Sequence, residues 1–118
     1  MKSILIPLLV FISFHSISAQ NISCSELSRV ITKDYSRKEK VKPLMSSMLA
    51  KATWYEYEGM GFVIAYLKEN DYDLNGSPYI FCGISNQRWT KFKNNGLFGS
   101  SYGKAFHKYI MEYTCNCN

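Results

Sequence analysis

At 118 residues the chain is long enough for one domain with one core. Its fourteen Lys and Arg against nine Asp and Glu give a formal charge of +5, a mild basicity that admits a polyanionic partner without requiring one. No stretch stays apolar for the roughly 20 residues that a bilayer-spanning helix needs, which excludes a membrane span in the mature chain.

The first residues have the three parts of a secretory signal. Met1-Lys2 is a short basic start, Ile4 to Phe14 an apolar run, and Ser16-Ile17-Ser18-Ala19 a small-residue cleavage site. Residues 1–19 are therefore read as a signal peptide cleaved near Ala19, and the protein as secreted or periplasmic. Loss of Lys2 lowers the excess of basic over acidic side chains from five to four. Four cysteines remain in a chain bound for an oxidising compartment: Cys24, Cys82, Cys115 and Cys117. Cys115 and Cys117 are one residue apart and would close a strained ring with each other, so each is expected to pair with Cys24 or Cys82. Which takes which is open. A Cys-x-Cys metal or redox site is the functional alternative, and it lacks a second ligand pair of suitable spacing.

Ser23-Cys24-Ser25-Glu26 has the spacing of a capping box, and Leu27, Val30, Ile31 and Tyr35 follow at helical intervals. This predicts a short N-terminal helix with Glu26, Arg29 and Lys33 on its solvated side. Ser36 to Pro43 is a basic, polar run closed by a proline and reads as a linker. From Ser46 the pattern turns to strands. Leu49 to Tyr57 and Phe62 to Leu67 form a hairpin across Glu58-Gly59-Met60-Gly61. The second of these strands is apolar on both faces, with Phe62, Ile64 and Tyr66 on one and Val63, Ala65 and Leu67 on the other, so it is expected inside the sheet and covered by helices.

The third strand, Tyr79 to Ile84, reads as buried and two-faced in the same way. The loop before it, Glu69 to Pro78, carries Asp71, Asp73, Asn75 and Gly76 at the spacing that opens an EF-hand calcium loop. The twelfth position of that register is Cys82, where the loop needs a bidentate Glu, and the flanks are strands. The alternative is a hairpin loop turned by Asn75-Gly76 with exposed acids. Calcium is the one cofactor the sequence raises.

Ser85 or Asn86 can cap a helix with Trp89 and Phe92 on one face and Arg88, Lys91 and Lys93 on the rest, stopped by Asn95-Gly96. Leu97-Phe98-Gly99 then reads as an apolar turn. Ser100 or Ser101 caps the last helix, whose stripe of Tyr102, Ala105, Phe106, Tyr109, Ile110 and Tyr113 is expected on the sheet. Lys104, His107, Lys108, Met111 and Glu112 are expected to face away. The fold class is α+β: a three-stranded antiparallel sheet packed by two C-terminal helices and preceded by a short N-terminal helix.

In this order the pieces of residues 46–113 resemble the KTSC domain, a small module found at the C-terminus of some lysyl-tRNA synthetases and alone in bacterial proteins. The matching residues are Ser46-Ser47-Met48-Leu49, the central Tyr79-Ile80-Phe81 with Gly83-Ile84-Ser85, and Ser101, Gly103, Phe106 and Ile110 in the closing helix. Phe81 stands where the family has a second tyrosine, Ser85 where it has proline, and the loop at 69–78 is longer. The resemblance divides the chain into a signal peptide (1–19), an N-terminal helix and basic linker (20–45), the KTSC-like domain (46–113) and a Cys-x-Cys tail (114–118).

The family resemblance implies RNA as a partner, an implication that secretion weakens. Arg88, Lys91, Lys93, Lys104 and Lys108 on the closing helices are the candidates for RNA or another polyanion. No catalytic residue is named. His107 lies on an outward helix face without a partner, Cys82 is expected in a disulfide, and Glu56 and Glu58 share one side of a strand without a mechanism attached. The leading expectation is a secreted, disulfide-stabilised binding module acting through surface contacts with a protein or polyanion.

Overall fold

The computed structural model describes residues 22–43, 46–98 and 101–117. Residues 1–19, read from sequence as a signal peptide, lie outside them. Helix α1 (Cys24–Asp34) is followed by β1 (Arg37–Val41), β2 (Leu49–Tyr57), β3 (Met60–Leu67), β4 (Ser77–Cys82), α2 (Asn86–Phe98) and α3 (Tyr102–Tyr109). The strands form one antiparallel sheet in the order β1-β2-β3-β4. The class is α+β as expected, but the sheet has four strands, not three. The added strand is the basic run read as a linker. Arg37 to Val41 pairs with Glu56 to Ala52, which makes it an edge strand studded with charge.

Alternation along the paired strands separates two faces. Val41, Ala52, Trp54, Val63, Ala65 and Phe81 share one of them, and α2 and α3 cover it with Trp89, Phe92, Ala105, Phe106 and Ile110. Trp89, Phe92, Phe106 and Ile110 are fully buried. The opposite face carries Thr53, Tyr55, Phe62, Ile64 and Ile80, and Ile31 of α1 packs there. Strand β3 thus has an apolar core on each side, as its two-faced sequence predicts.

Tight local features hold the register. Strands β2 and β3 meet through Glu58 and Gly59, both at positive φ (50° and 78°), the conformation of a two-residue hairpin turn. Gly61 accepts from the Ile84 amide at 3.0 Å, and the Trp54 indole donates to the Ile84 carbonyl at 2.8 Å. A Cβ on Gly61 would overlap that carbonyl oxygen, so only glycine lets the end of β4 come this close.

The helices begin on serines. The Ser23 and Ser101 hydroxyls accept from the amides of Glu26 and Lys104, and Ser85 accepts from Arg88. Glu26 does not complete a reciprocal capping box but pairs with Arg29 at 3.1 Å. Three boundaries differ from expectation. Helix α2 runs through Asn95-Gly96 to Phe98, because Gly96 leaves room for the ring of Tyr102 to lie against the helix. Helix α3 stops at Tyr109, so Met111 turns back and packs partly buried on the core instead of facing away. Strand β4, read as buried through Ile84, ends at Cys82 and lies at the sheet edge, where Tyr79 is 52% exposed.

The tail closes the remaining edge. Cys82 donates its amide to the Tyr113 carbonyl at 2.8 Å, and Phe81 forms a bridge with Thr114. Cys82 is bonded to Cys115 and Cys24 to Cys117, so each tail cysteine takes a distant partner as the spacing requires. The second bond anchors the start of α1 to the end of the described chain.

Candidate functional site

Helix α1 covers only part of its sheet face. Its buried residue Ile31 clusters with Phe62, Ile64 and Ile80, so the row Thr53–Ile64–Ile80 is buried, while in the next row, Lys51–Tyr66–Pro78, the first two are half-buried and Pro78 is exposed. The result is a groove of about 760 Å³. Its floor is these two rows, one wall is the side of α1 with Ser25, Ser28, Arg29 and Thr32, and the tail closes it at Thr114 and Cys115. The volume lies within the range of small-molecule sites, roughly 300–1,000 Å³.

The groove has an apolar floor and a polar margin. Ile64 and Ile80 are buried, and Thr53 is the buried polar residue beside them. The Lys51 ammonium sits 4.6 Å from the centroid of the Tyr66 ring, a cation–π contact that fixes the charge over the floor. Burial pushes the Tyr55 phenol above its ordinary pKa, so it keeps its proton and remains a donor through neutral pH. Among the described residues Arg29 and Lys51 are the charged side chains of the lining, and no acid lines it. On the same face β1 places Lys38 and Lys40 opposite Tyr55 and Thr53.

The basic residues singled out from sequence differ in their surroundings. Lys93 is spent on Glu39 of β1 at 2.6 Å. Arg88 donates to the Tyr109 carbonyl at 3.1 Å and lies over the ring of Tyr113 at 4.5 Å. Lys108 stands 5.3 Å from the Tyr109 ring, and Lys91 and Lys104 are exposed on separate helices. In the acidic loop, both carboxylate oxygens of Asp73 are taken by loop backbone: Oδ1 accepts from Gly76 at 3.0 Å and Oδ2 from Glu69 at 3.2 Å. Asp71 and Asn75 are exposed. Among the described residues no group of three or more His, Cys, Asp or Glu is arranged to hold a metal ion.

The other groups weighed for chemistry are also placed. Cys82 is in a disulfide, and His107 is exposed on α3. Glu56 pairs with Arg37 at 3.9 Å and accepts from Ser36, while Glu58 sits exposed in the hairpin turn. Sequence reasoning passed over Lys51, Thr53, Tyr55 and Tyr66. Their signal was present as polar side chains alternating onto a strand face expected to be covered.

The fold and groove define a small α+β protein with two disulfides and a half-covered sheet. Compared with protein-family models, curated proteins and solved structures, the chain shows no match.

Proposed function

We propose that this is a secreted, KTSC-like binding module, held together by its two disulfides, that receives its ligand in the groove between α1 and the sheet. The observation that carries the reading is the groove of about 760 Å³ beside α1, floored by the buried Ile64 and Ile80 and bounded by Arg29 and Lys51. A domain of this size gains stability from every apolar side chain it covers. Leaving the row Lys51–Tyr66–Pro78 partly open beside this groove while the other face is sealed is best accounted for by a ligand.

Both disulfides support the compartment, since such bonds persist where the medium is oxidising. They also fix two walls of the groove before anything binds, which lowers the entropy lost on association. The residues that carry the family resemblance have structural work: Ser46 accepts from the amides of Met48 and Leu49, Phe81 and Ile84 are core, and Ser101 caps α3. They support a shared framework and leave the ligand to the other face.

Crosslinking capture of the mature protein in its own compartment, with a photoreactive residue at Thr32, is expected to trap a ligand on groove residues. Labelling confined to α2 and α3, or four free thiols in protein recovered from that compartment, would sink the reading. A polyanion bound on the closing helices is the weaker account, because Lys93 and Arg88 are already engaged within the fold.

A further inference from the structure

The charges around the groove are of one sign. Arg29 enters from the helix wall and Lys51 from the floor, and among the described residues no acid lines the space between them. Glu26 neutralises Arg29 only in part, from an exposed position at 3.1 Å. Among the described residues Lys51 has no acid in contact; its ammonium rests on the face of Tyr66, which leaves N–H bonds to meet an anion. Below these charges the floor is apolar, formed by Ile64, Ile80 and Pro78, with the hydroxyls of Thr53 and Tyr55 beside it.

Resting on the reading that the groove is the binding site, we propose that its ligand is a small amphiphilic organic acid, with its anionic group between Arg29 and Lys51 and its apolar body along Ile64 and Ile80. A cationic ligand of the same shape meets two positive charges, with Glu26 beside Arg29 as the one acid near them among the described residues. A neutral one fills the floor but leaves Lys51 without an anionic partner, and Arg29 with only the exposed Glu26, when water is displaced. The groove volume of about 760 Å³ accommodates a molecule of a dozen or more heavy atoms, within the usual range of small-ligand sites. The two disulfides hold α1 and the tail in place, so the walls are formed in advance.

The test uses three probes with one apolar body, 4-phenylbutyrate, 4-phenylbutanol and 4-phenylbutylamine, titrated into the mature, oxidised protein and followed by amide chemical shifts. The acid is expected to shift Ser28, Thr53, Ile64 and Tyr66 and to bind about tenfold more tightly than the alcohol, with the amine weakest. Lys51→Met keeps the aliphatic stem and is expected to erase the preference of acid over alcohol while the alcohol still binds. Arg29→Gln, on a different element, is expected to reduce the preference in part, so a folding defect in either variant does not decide the matter. If the alcohol binds as well as the acid, or Lys51→Met leaves the preference intact, the organic-acid assignment falls and the groove stands as a binding site. If none of the three moves the groove amides, the assignment and the binding reading fall together. Shifts confined to Arg88, Lys91 and Lys104 of the closing helices have the same consequence.

Discussion

The indole nitrogen of Trp89 donates to Oε1 of Glu39 at 2.6 Å, and the second oxygen of that carboxylate takes Lys93 at the same distance. An edge strand with four charged residues in five is thereby fastened to the first turns of α2. Trp89 is fully buried, so its N–H depends on this acceptor. The Lys93 hydrogen bond, with the Trp89 bond and nearby cations adding to it, outweighs partial burial and holds the Glu39 carboxyl below its ordinary pKa of 4.5. A depressed pKa places the sign: the contribution is complete above the ordinary value and is lost as pH falls through the lower, folded value. Glu39→Gln is expected to flatten the stability curve below about pH 4.5 and change it little at pH 8 beyond the lost charge. Glu39→Ala leaves the indole without an acceptor and is expected to cost about 1–2 kcal/mol at neutral pH. Urea melts of the three proteins at several pH values check both.

Gly61 is where the sheet and the start of the helical layer touch. Its carbonyl receives the Ile84 amide, and its missing side chain admits the Ile84 carbonyl that accepts from Trp54. Gly61→Ala must push one backbone aside, and the contact atom is a carbonyl oxygen that cannot rotate away. The expected loss is about 3 kcal/mol or more, with a shift in Trp54 fluorescence as its hydrogen bond breaks. Gly59→Ala is the useful contrast. Its φ of 78° makes alanine strained, yet nothing lies near the added carbon, so a cost of about 1 kcal/mol without a fluorescence change is expected.

What was readable from sequence is what neighbours along the chain decide. The two faces of Phe62 to Leu67, a turn within Glu58 to Gly61 and a serine cap at 100 or 101 are local signals; the structure keeps the two faces, narrows the turn to Glu58-Gly59 and puts the cap on Ser101. The cysteine spacing likewise forced long-range pairing. Strand β1 was not readable, because Arg37 to Val41 offers one apolar residue, and its acid becomes structural only by meeting Trp89 and Lys93 some fifty positions later. Gly96 failed as a stop signal for a similar reason: the ring of Tyr102 occupies the space a side chain would need. The groove is more remote still. It exists because α1 settles over one end of its face, an outcome fixed by Ile31 and by the Cys24–Cys117 bond rather than by any residue in the groove.

The two disulfides are expected to have separable effects. Cys24–Cys117 spans 93 residues and Cys82–Cys115 spans 33, worth about 4–5 and 3–4 kcal/mol respectively at the limit of the chain-entropy model. The first ties α1 to the tail; the second ties the tail to β4. In a Cys24→Ser/Cys117→Ser protein, amide exchange is expected to lose protection in α1 while the α2–α3 core retains it. Ligand capture in the groove should fall with α1. In Cys82→Ser/Cys115→Ser, the amides of Cys82-substituted β4 and of Thr114 are the ones expected to open first.

The acidic loop gives the last test, because its geometry opposes the metal its spacing suggests. Asp73 accepts from the amides of Gly76 and Glu69, and Asn70 accepts from Tyr72 at 2.9 Å, so these oxygens shape the turn. Calcium would have to take Asp73 from both amides. A site with a dissociation constant near 10 μM would add about 2.7 kcal/mol at 1 mM calcium. In a domain of about 100 residues that is a rise of some 10 °C or more in the melting temperature. The expected result is a shift below about 1 °C between 1 mM calcium and chelator. Asp73→Ala is expected to cost about 1–2 kcal/mol equally in both conditions, since what it removes is the pair of backbone hydrogen bonds. A calcium-dependent rise that Asp73→Ala abolishes would instead make the loop a metal site.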